Sequence, residues 1–338
     1  MISPKSQSGF IAEDRHFPHR FVLREATPQG VAIIRIHRPQ MSNALNPATM
    51  FQLDKAVEAA IHDPSVCGIV ITASEPGFVF GADMNFLIRH IEQNHFEPVH
   101  AYTRLGNDCF DRIAASPKPI IAAINGHAFG GGLELALACH VRLAVPTATL
   151  SLPEVGLGLC PLWGGVLRMK RQIGLEVAKS LIYAGKNIPV REALELGIVD
   201  RSMDANHLLK NAVKLATMPA GSFFRENKAF HASENVIRFF DNETVDSVFS
   251  PNTTDTPDKS VQIIRKQMRS KCYLALKYCE RIFQWNDGMT ADEKDRNYRE
   301  IVEHLYRSKD TITALKWKRD KKIGTPEFTS HLFKSTDF

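Results

Sequence analysis

The apolar positions of the chain follow two periods. Three short runs are almost wholly apolar: Val31–Ile36 (VAIIRI), Gly68–Thr72 (GIVIT) and Pro119–Ile124 (PIIAAI). Such runs suit strands buried on both faces. Leu143–Val145 and the region around Leu150 read as further short strands. Helical spacing fills the gaps. Asn46-Pro47 supplies an N-cap and a first turn, Met50, Leu53, Val57 and Ile61 share a face, and Asp63-Pro64 stops the helix. Asp83 caps a second helix with Met84, Leu87, Ile88 and Ile91 as its stripe, and a polar helix over about 98–115 ends before Ser116-Pro117. From Gly164 onward the spacing is helical alone, through GGVLRMKRQIG, LEVAKSLIYAG, VREALELGIVD, a helix from about His207, ENVIRFFD, SVQIIRKQM and two charged C-terminal segments. Strands alternating with helices, then helices only, predict an α/β core followed by a helical region.

The expected organisation is a polar, mobile tail over 1–18, a core over 19–205, and a helical region over 206–338 with an insertion near 220–270. Within the insertion, Asn252 to Pro257 has the composition of a surface loop. The 338 residues are 44% hydrophobic and 23% charged, an ordinary globular balance. The net charge of +5 favours a polyanionic small ligand and is too small an excess to argue for nucleic acid. The six cysteines form no CxxC pair and are expected to be reduced and buried. No apolar run approaches membrane-spanning length, and the N-terminus lacks an apolar signal core. The cytoplasm is the expected compartment, with the mitochondrial matrix as the alternative.

Candidate chemistry concentrates in KPIIAAINGHAFGGGLE, Lys118–Glu134. An apolar strand is broken by Asn125-Gly126, and Gly130, Gly131 and Gly132 then open a helix. A helix start carries unpaired N–H groups and partial positive charge. Glycines there let a ligand reach bare backbone, and Glu134 follows on the first turn. Such a turn suits an oxyanion site with a proton carrier beside it; tight packing or phosphate binding would use the same glycines. Cys160 has no evident His partner, His127 reads as a loop residue, and metal-ligand spacing, a P-loop and G-x-S-x-G are all absent from the sequence.

Together, IHRPQMSNALN, FVFGADM, KPIIAAINGHAFGGGLELALAC, LPEVGLGLCP-x-x-GG and AGKNIPVREALELGIVD resemble the enoyl-CoA hydratase/isomerase (crotonase) superfamily in order and spacing. The match runs from about Val31 to Asp200. The resemblance implies a crotonase-like α/β core, a spiral of ββα turns, with a helical C-terminal trimerisation region. It also implies an acyl-CoA ligand and trimers or dimers of trimers. No cofactor is implied, coenzyme A being part of the substrate. Membrane and nucleic-acid partners are not expected.

Carried over residue by residue, the resemblance places the thioester oxygen between the N–H groups of Ala82 and Gly131. Glu154 would protonate C2 and Glu134 would hold and activate water. The substrate is expected along Asn43, Ala44 and Leu45 and against Phe80, Gly81, Asp83, Gly130, Leu162 and Trp163. Lys316 and Lys318 are weaker candidates for the CoA phosphates, across a subunit boundary.

Some positions depart from the pattern. Phe80 replaces a small residue, Leu162 and Trp163 replace a glycine and a small residue, and His140 stands where many members carry Asp. The insertion near 220–270 is loosely similar to the longer C-terminal part of the 3-hydroxyisobutyryl-CoA hydrolases. Those enzymes lack a Glu at position 134 and carry an acid at 162, the opposite of this chain. The expected activity is therefore reversible hydration of a 2-enoyl-CoA to a 3-hydroxyacyl-CoA, a lyase reaction. Double-bond isomerisation and thioester hydrolysis on the same oxyanion hole remain the alternatives. An RNA- or protein-binding role without catalysis is a third, which Glu134 and Glu154 argue against.

Overall fold

A computed structural model describes residues 19–223, 232–251, 256–286, 288–320, 322 and 326–329. The expected tail over 1–18 and most of the Asn252–Pro257 loop lie outside the described residues. The main sheet has six strands in the order β1 (Val22–Ala26), β2 (Val31–Ile36), β3 (Gly68–Ala73), β4 (Ile120–Ile124), β6 (Val141–Ala144) and β9 (Arg201–Ser202). The β1–β2 pair is antiparallel and the other pairings are parallel. A second, three-stranded sheet joins β5 (Ala128–Phe129), β7 (Thr149–Ser151) and β8 (Ile188–Pro189). Every residue of β3 and β4 is buried, which is why their sequences are continuous apolar runs.

The helices before the glycine turn form where their caps predict. Helix α1 spans Pro47–His62, with Asn46 Oδ1 accepting from Thr49 N–H at 2.7 Å. Helix α2 spans Met84–Glu92 behind Asp83, and α3 spans Glu97–Ala114. The central helix α4 is Gly131–Ala138 and is wholly buried. A 3-10 helix, Glu154–Leu157, precedes α5 (Gly165–Ile173), α6 (Leu175–Ala184), α7 (Val190–Glu195) and α8 (Ala205–Ala216). Helix α8 lies across β3 and β4. A Cβ on Gly68 would stand 1.9 Å from Ala216 O, so Gly68 admits this helix to the sheet.

The C-terminal helices are α9 (Glu234–Asn242), α10 (Val245–Phe249), α11 (Lys259–Arg269), α12 (Tyr273–Phe283), α13 (Ala291–Arg307) and α14 (Lys309–Arg319). They return to the core: α11 packs on α6, α12 on α5, α13 on α3, and α14 on α2 and the 3-10 helix. The α/β core with a helical C-terminal region is as the sequence predicts.

One expectation needs correction. Cys67 is exposed, because it lies just ahead of β3 at the sheet's rim, where its thiol donates to Gln29 O at 3.3 Å. The other five cysteines are buried.

Candidate active site

The loops that leave β2, β3 and β4 are joined beyond the carboxyl ends of these strands. Leu45 N–H donates to Gly81 O (2.8 Å) and Asp83 N–H to Leu45 O (2.9 Å), so Ala82 sits opposite Leu45 in a parallel bridge. Successive amides of extended backbone point to opposite sides. With Gly81 O and Asp83 N–H facing Leu45, the Ala82 N–H is directed away from Leu45, and Ala82 lines a pocket. A second bridge, Val79 to Ala128, ties this loop to β5.

The glycine turn is shaped by three different neighbours. Gly130 has φ +50°, and its N–H donates to Ser151 O at 2.8 Å. A Cβ on Gly130 would fall 2.7 Å from Glu154 Oε1; on Gly131, 2.3 Å from Trp163 Cζ3; on Gly132, 2.1 Å from Val79 O. Gly131 begins α4, so its N–H has no intrahelical acceptor. Gly81 Cα lies close to the same turn, since a Cβ there would stand 3.4 Å from Gly131 N. Two main-chain donors therefore border one small space.

Both glutamates enter the same pocket. Glu134 is 2% exposed, and its Oε1 accepts from Trp163 N–H and Gly165 N–H, each at 2.8 Å. Burial raises its carboxyl to about 7, against the two N–H donors and the Arg168 charge, which act the other way. Glu154 Oε2 is enclosed without a hydrogen-bond partner. Burial and then the Glu134 charge push the Glu154 carboxyl well above the usual range. Both carboxyls are thus held above the ordinary range, Glu134 by burial and Glu154 by burial and by the Glu134 charge.

The pocket spans about 650 Å³, the open space at its mouth included. Phe80, Gly81, Ala82, Gly130, Gly131, Leu162 and Trp163 line it together with the two glutamates. Phe80 is 40% exposed and packs edge-on against Phe129, with ring centroids 5.1 Å apart. Trp163 is 4% exposed and meets Tyr102 and Phe110 edge-on at 5.1 and 5.7 Å.

Asn43, Ala44, Leu45 and Asp83, also expected at the substrate, are not among the residues lining this pocket. Asn43 is fully buried, its amide donating to Ser74 O (2.5 Å) and Gly77 O (3.0 Å) and its Oδ1 accepting from Arg38 N–H (2.9 Å). Asp83 caps α2 and pairs with Arg38 at 2.6 Å. Leu45 is buried against the Ala82 loop, and Ala44 O accepts from Arg38 Nη1 at 3.0 Å. Their hydrogen bonds hold the 74–83 loop in place. Lys316 lies 3.7 Å from Glu92 on the surface, and Lys318 is exposed nearby on α14.

The model of a protein family described as enoyl-CoA hydratase/isomerase matches residues 26–233, well over half of the chain. The chain belongs to the enoyl-CoA hydratase/isomerase family. It is 38% identical to the short-chain-enoyl-CoA hydratase of Clostridium acetobutylicum over 187 residues, covering 55% of this chain and 70% of that protein. Identity to the crotonyl-CoA hydratase of Syntrophomonas wolfei is 39% over 191 residues, or 56% and 71% of the two chains. Among solved structures, an enoyl-CoA hydratase from Rhodobacter sphaeroides superposes with a TM-score of 0.75 at 23% identity, covering 94% of this chain and 96% of the other. At that identity the likeness establishes the fold, here including the helical C-terminal region.

Several family-site neighbours escaped the sequence reading. Tyr102, Leu157, Leu159, Cys160 and Tyr306 also line the pocket. Tyr306 belongs to α13 and reaches the pocket only because α13 folds back onto α3. Gly106 was the one available signal: a glycine inside a helix points to close packing, and a Cβ there would fall 2.3 Å from Trp163 Nε1. Cys160 is an inert wall residue, its thiol pushed up by burial and by Cys279. His127 has the expected loop role, accepting from Thr149 N–H at 3.2 Å and stacking on Phe129.

Proposed function

We propose that the protein catalyses reversible hydration of a 2-enoyl-CoA to a 3-hydroxyacyl-CoA. The observation that carries this reading is the convergence of Glu134 and Glu154 on the pocket bordered by the Ala82 and Gly131 amides. The thioester oxygen accepts from both amides and is stabilised as negative charge develops on it; one such donor is typically worth about 3–4 kcal/mol of barrier. Glu134, ionised, takes a proton from water as its oxygen bonds to C3. Glu154, protonated, delivers a proton to C2. The water oxygen ends on C3 as hydroxyl and the Glu154 proton on C2; passage of the proton from Glu134 to Glu154 restores both acids, and the reverse reaction follows the same path. No cofactor is required, because coenzyme A arrives with the acyl group.

The names of the relatives support an enoyl-CoA substrate. The CoA arm runs past the 43–45 segment, where Ala44 is partly accessible, and Lys316 and Lys318 of a neighbouring subunit supply charge for its phosphates. The chain assembles as a homotrimer or a dimer of trimers through its helical C-terminal region. Its proposed compartment is the cytoplasm, with the mitochondrial matrix as the alternative.

Loss of the conjugated enoyl-thioester absorbance on adding enzyme to crotonyl-CoA, with 3-hydroxybutyryl-CoA as product, is the expected result. Release of free thiol would replace the assignment by thioester hydrolysis. A shifted double bond would replace it by isomerisation.

A further inference from the structure

On the far side of Glu134 lies a second cleft of about 840 Å³, between α3, α5 and α13. Arg168, on α5, connects it to the active site. Its Nη1 donates to Trp163 O at 2.6 Å and its Nη2 pairs with Asp111 Oδ1 at 2.5 Å. The Arg168 side chain is only 10% exposed, whereas Asp111 is 62% exposed. Between Trp163 and Arg168 the backbone makes a turn that only glycine fits: Gly164 has φ +87°, and a Cβ there would fall 2.3 Å from Arg168 Nη1. The same turn presents the Trp163 and Gly165 amides to Glu134 Oε1. A Cβ on Gly165 would stand 2.8 Å from that oxygen, so the turn lies directly on the carboxylate.

We infer that Arg168 is a positioning residue for the hydration: it holds the Trp163–Gly165 turn onto Glu134 and places a fixed positive charge behind that carboxylate. The inference rests on the proposed role of Glu134 as the base. The geometry gives the guanidinium two tasks. Its bond to Trp163 O fixes the peptide geometry that aims two N–H groups at Oε1. Its charge stabilises the ionised form of Glu134, opposing the burial that favours the proton. Asp111 anchors the guanidinium and partly offsets its charge.

Other charges bear on the pair. Glu154, Cys160 and Tyr298 feel the Glu134 charge from the 3-10 helix, the following loop and α13. The Arg168 side of the cleft is lined from α3 by His100, Arg104 and Asp108, and from α5 by Arg171. From α13 it is lined by Asp292, Lys294, Asp295 and Arg299. Positive and negative groups are interspersed along this wall. Arg168 is the one held against the Glu134 turn.

The test is the pH profile of crotonyl-CoA hydration by the full-length protein. Arg168→Gln removes the charge: kcat is expected to fall at least about tenfold with a smaller change in KM, and the acid limb to move up by about one pH unit. Arg168→Lys keeps a positive charge without the fork geometry, so kcat falls while the acid limb stays near that of the unaltered protein. Asp111→Asn is safe for folding because Asp111 is largely exposed. It takes a negative charge from beside the guanidinium and moves the limb downward. An acid limb unmoved in the folded Arg168→Gln protein overturns the inference, as does an unmoved limb in Asp111→Asn if Arg168→Gln does not fold. Absence of hydration by the unaltered protein would instead reject the proposed function.

Discussion

The indole of Trp163 occupies the place a side chain on Gly131 would need, with Cζ3 2.3 Å from an ideal Cβ. The ring is fixed there by Tyr102 and Phe110, and the absence of a Cβ on Gly106 makes room for its other edge. One side chain thus abuts the Gly131 amide while lining the pocket.

Gly131→Ala should therefore act on catalysis rather than on substrate capture. Neither the indole nor the turn can yield without displacing the amide. A fall in kcat of about a hundredfold or more is expected, with a loss of about 1–3 kcal/mol in stability. Steady-state kinetics and thermal melts measure the two effects. A nearly normal kcat would show that the Gly131 amide is not an oxyanion donor.

Trp163→Ala opens the wall that the indole closes. The ratio of kcat/KM for an eight-carbon enoyl-CoA over crotonyl-CoA should rise by about tenfold or more, since each buried methylene is worth about 0.8 kcal/mol. An unchanged ratio in a folded variant would place the end of the acyl chain elsewhere.

Replacing either acid by its amide keeps the shape and removes the proton chemistry. Glu134→Gln and Glu154→Gln should each lower kcat by about 10²–10⁴-fold. The double variant should lose much less than the product of the two, because the acids act as one unit. Multiplicative losses would mean that they act in separate steps.

The raised carboxyl of Glu134 also ties stability to pH. In the unfolded chain it titrates at the ordinary 4.5; in the folded protein, at about 7. Between these values the folded state holds the proton that the unfolded state has released. Stability from this group is full below about 4.5 and declines as pH rises through about 7. Glu134→Gln removes that dependence and should raise stability at pH 8 by about a few kcal/mol relative to the unaltered protein, seen as a higher melting temperature. Activity should run the other way, with an acid limb near 7. A lower melting temperature for the variant at pH 8 would contradict this account.

Asn43 tests the bracing of the oxyanion loop. Its side chain satisfies Gly77 O in a buried bond and Ser74 O and Arg38 N–H in half-buried ones. Asn43→Ala leaves these groups unpaired and should cost about 2–4 kcal/mol, at about 1–3 kcal/mol for each stranded group less local relaxation. Denaturant unfolding would measure it. A change of less than half a kcal/mol would return Asn43 to the set of direct substrate contacts.

The sequence by itself determined the local elements. Apolar runs such as Pro119–Ile124 can only be stable where both faces are buried, and Asn46 and Asp83 cap their helices whatever surrounds them. The site motifs were legible for a related reason: an oxyanion hole made of backbone needs glycine or a short loop, and three glycines before an acid leave a mark in the chain. Tertiary structure decided what those residues face. Neither the indole over Gly131 nor the exclusion of Asn43 and Asp83 from the pocket has a sequence period. Tyr306 lines the pocket and Arg168 meets the turn on Glu134 from 172 and 34 positions beyond Glu134, respectively. Their placement follows from helices packing back onto the core, and contacts of that kind depend on how whole faces fit together, which no local pattern encodes.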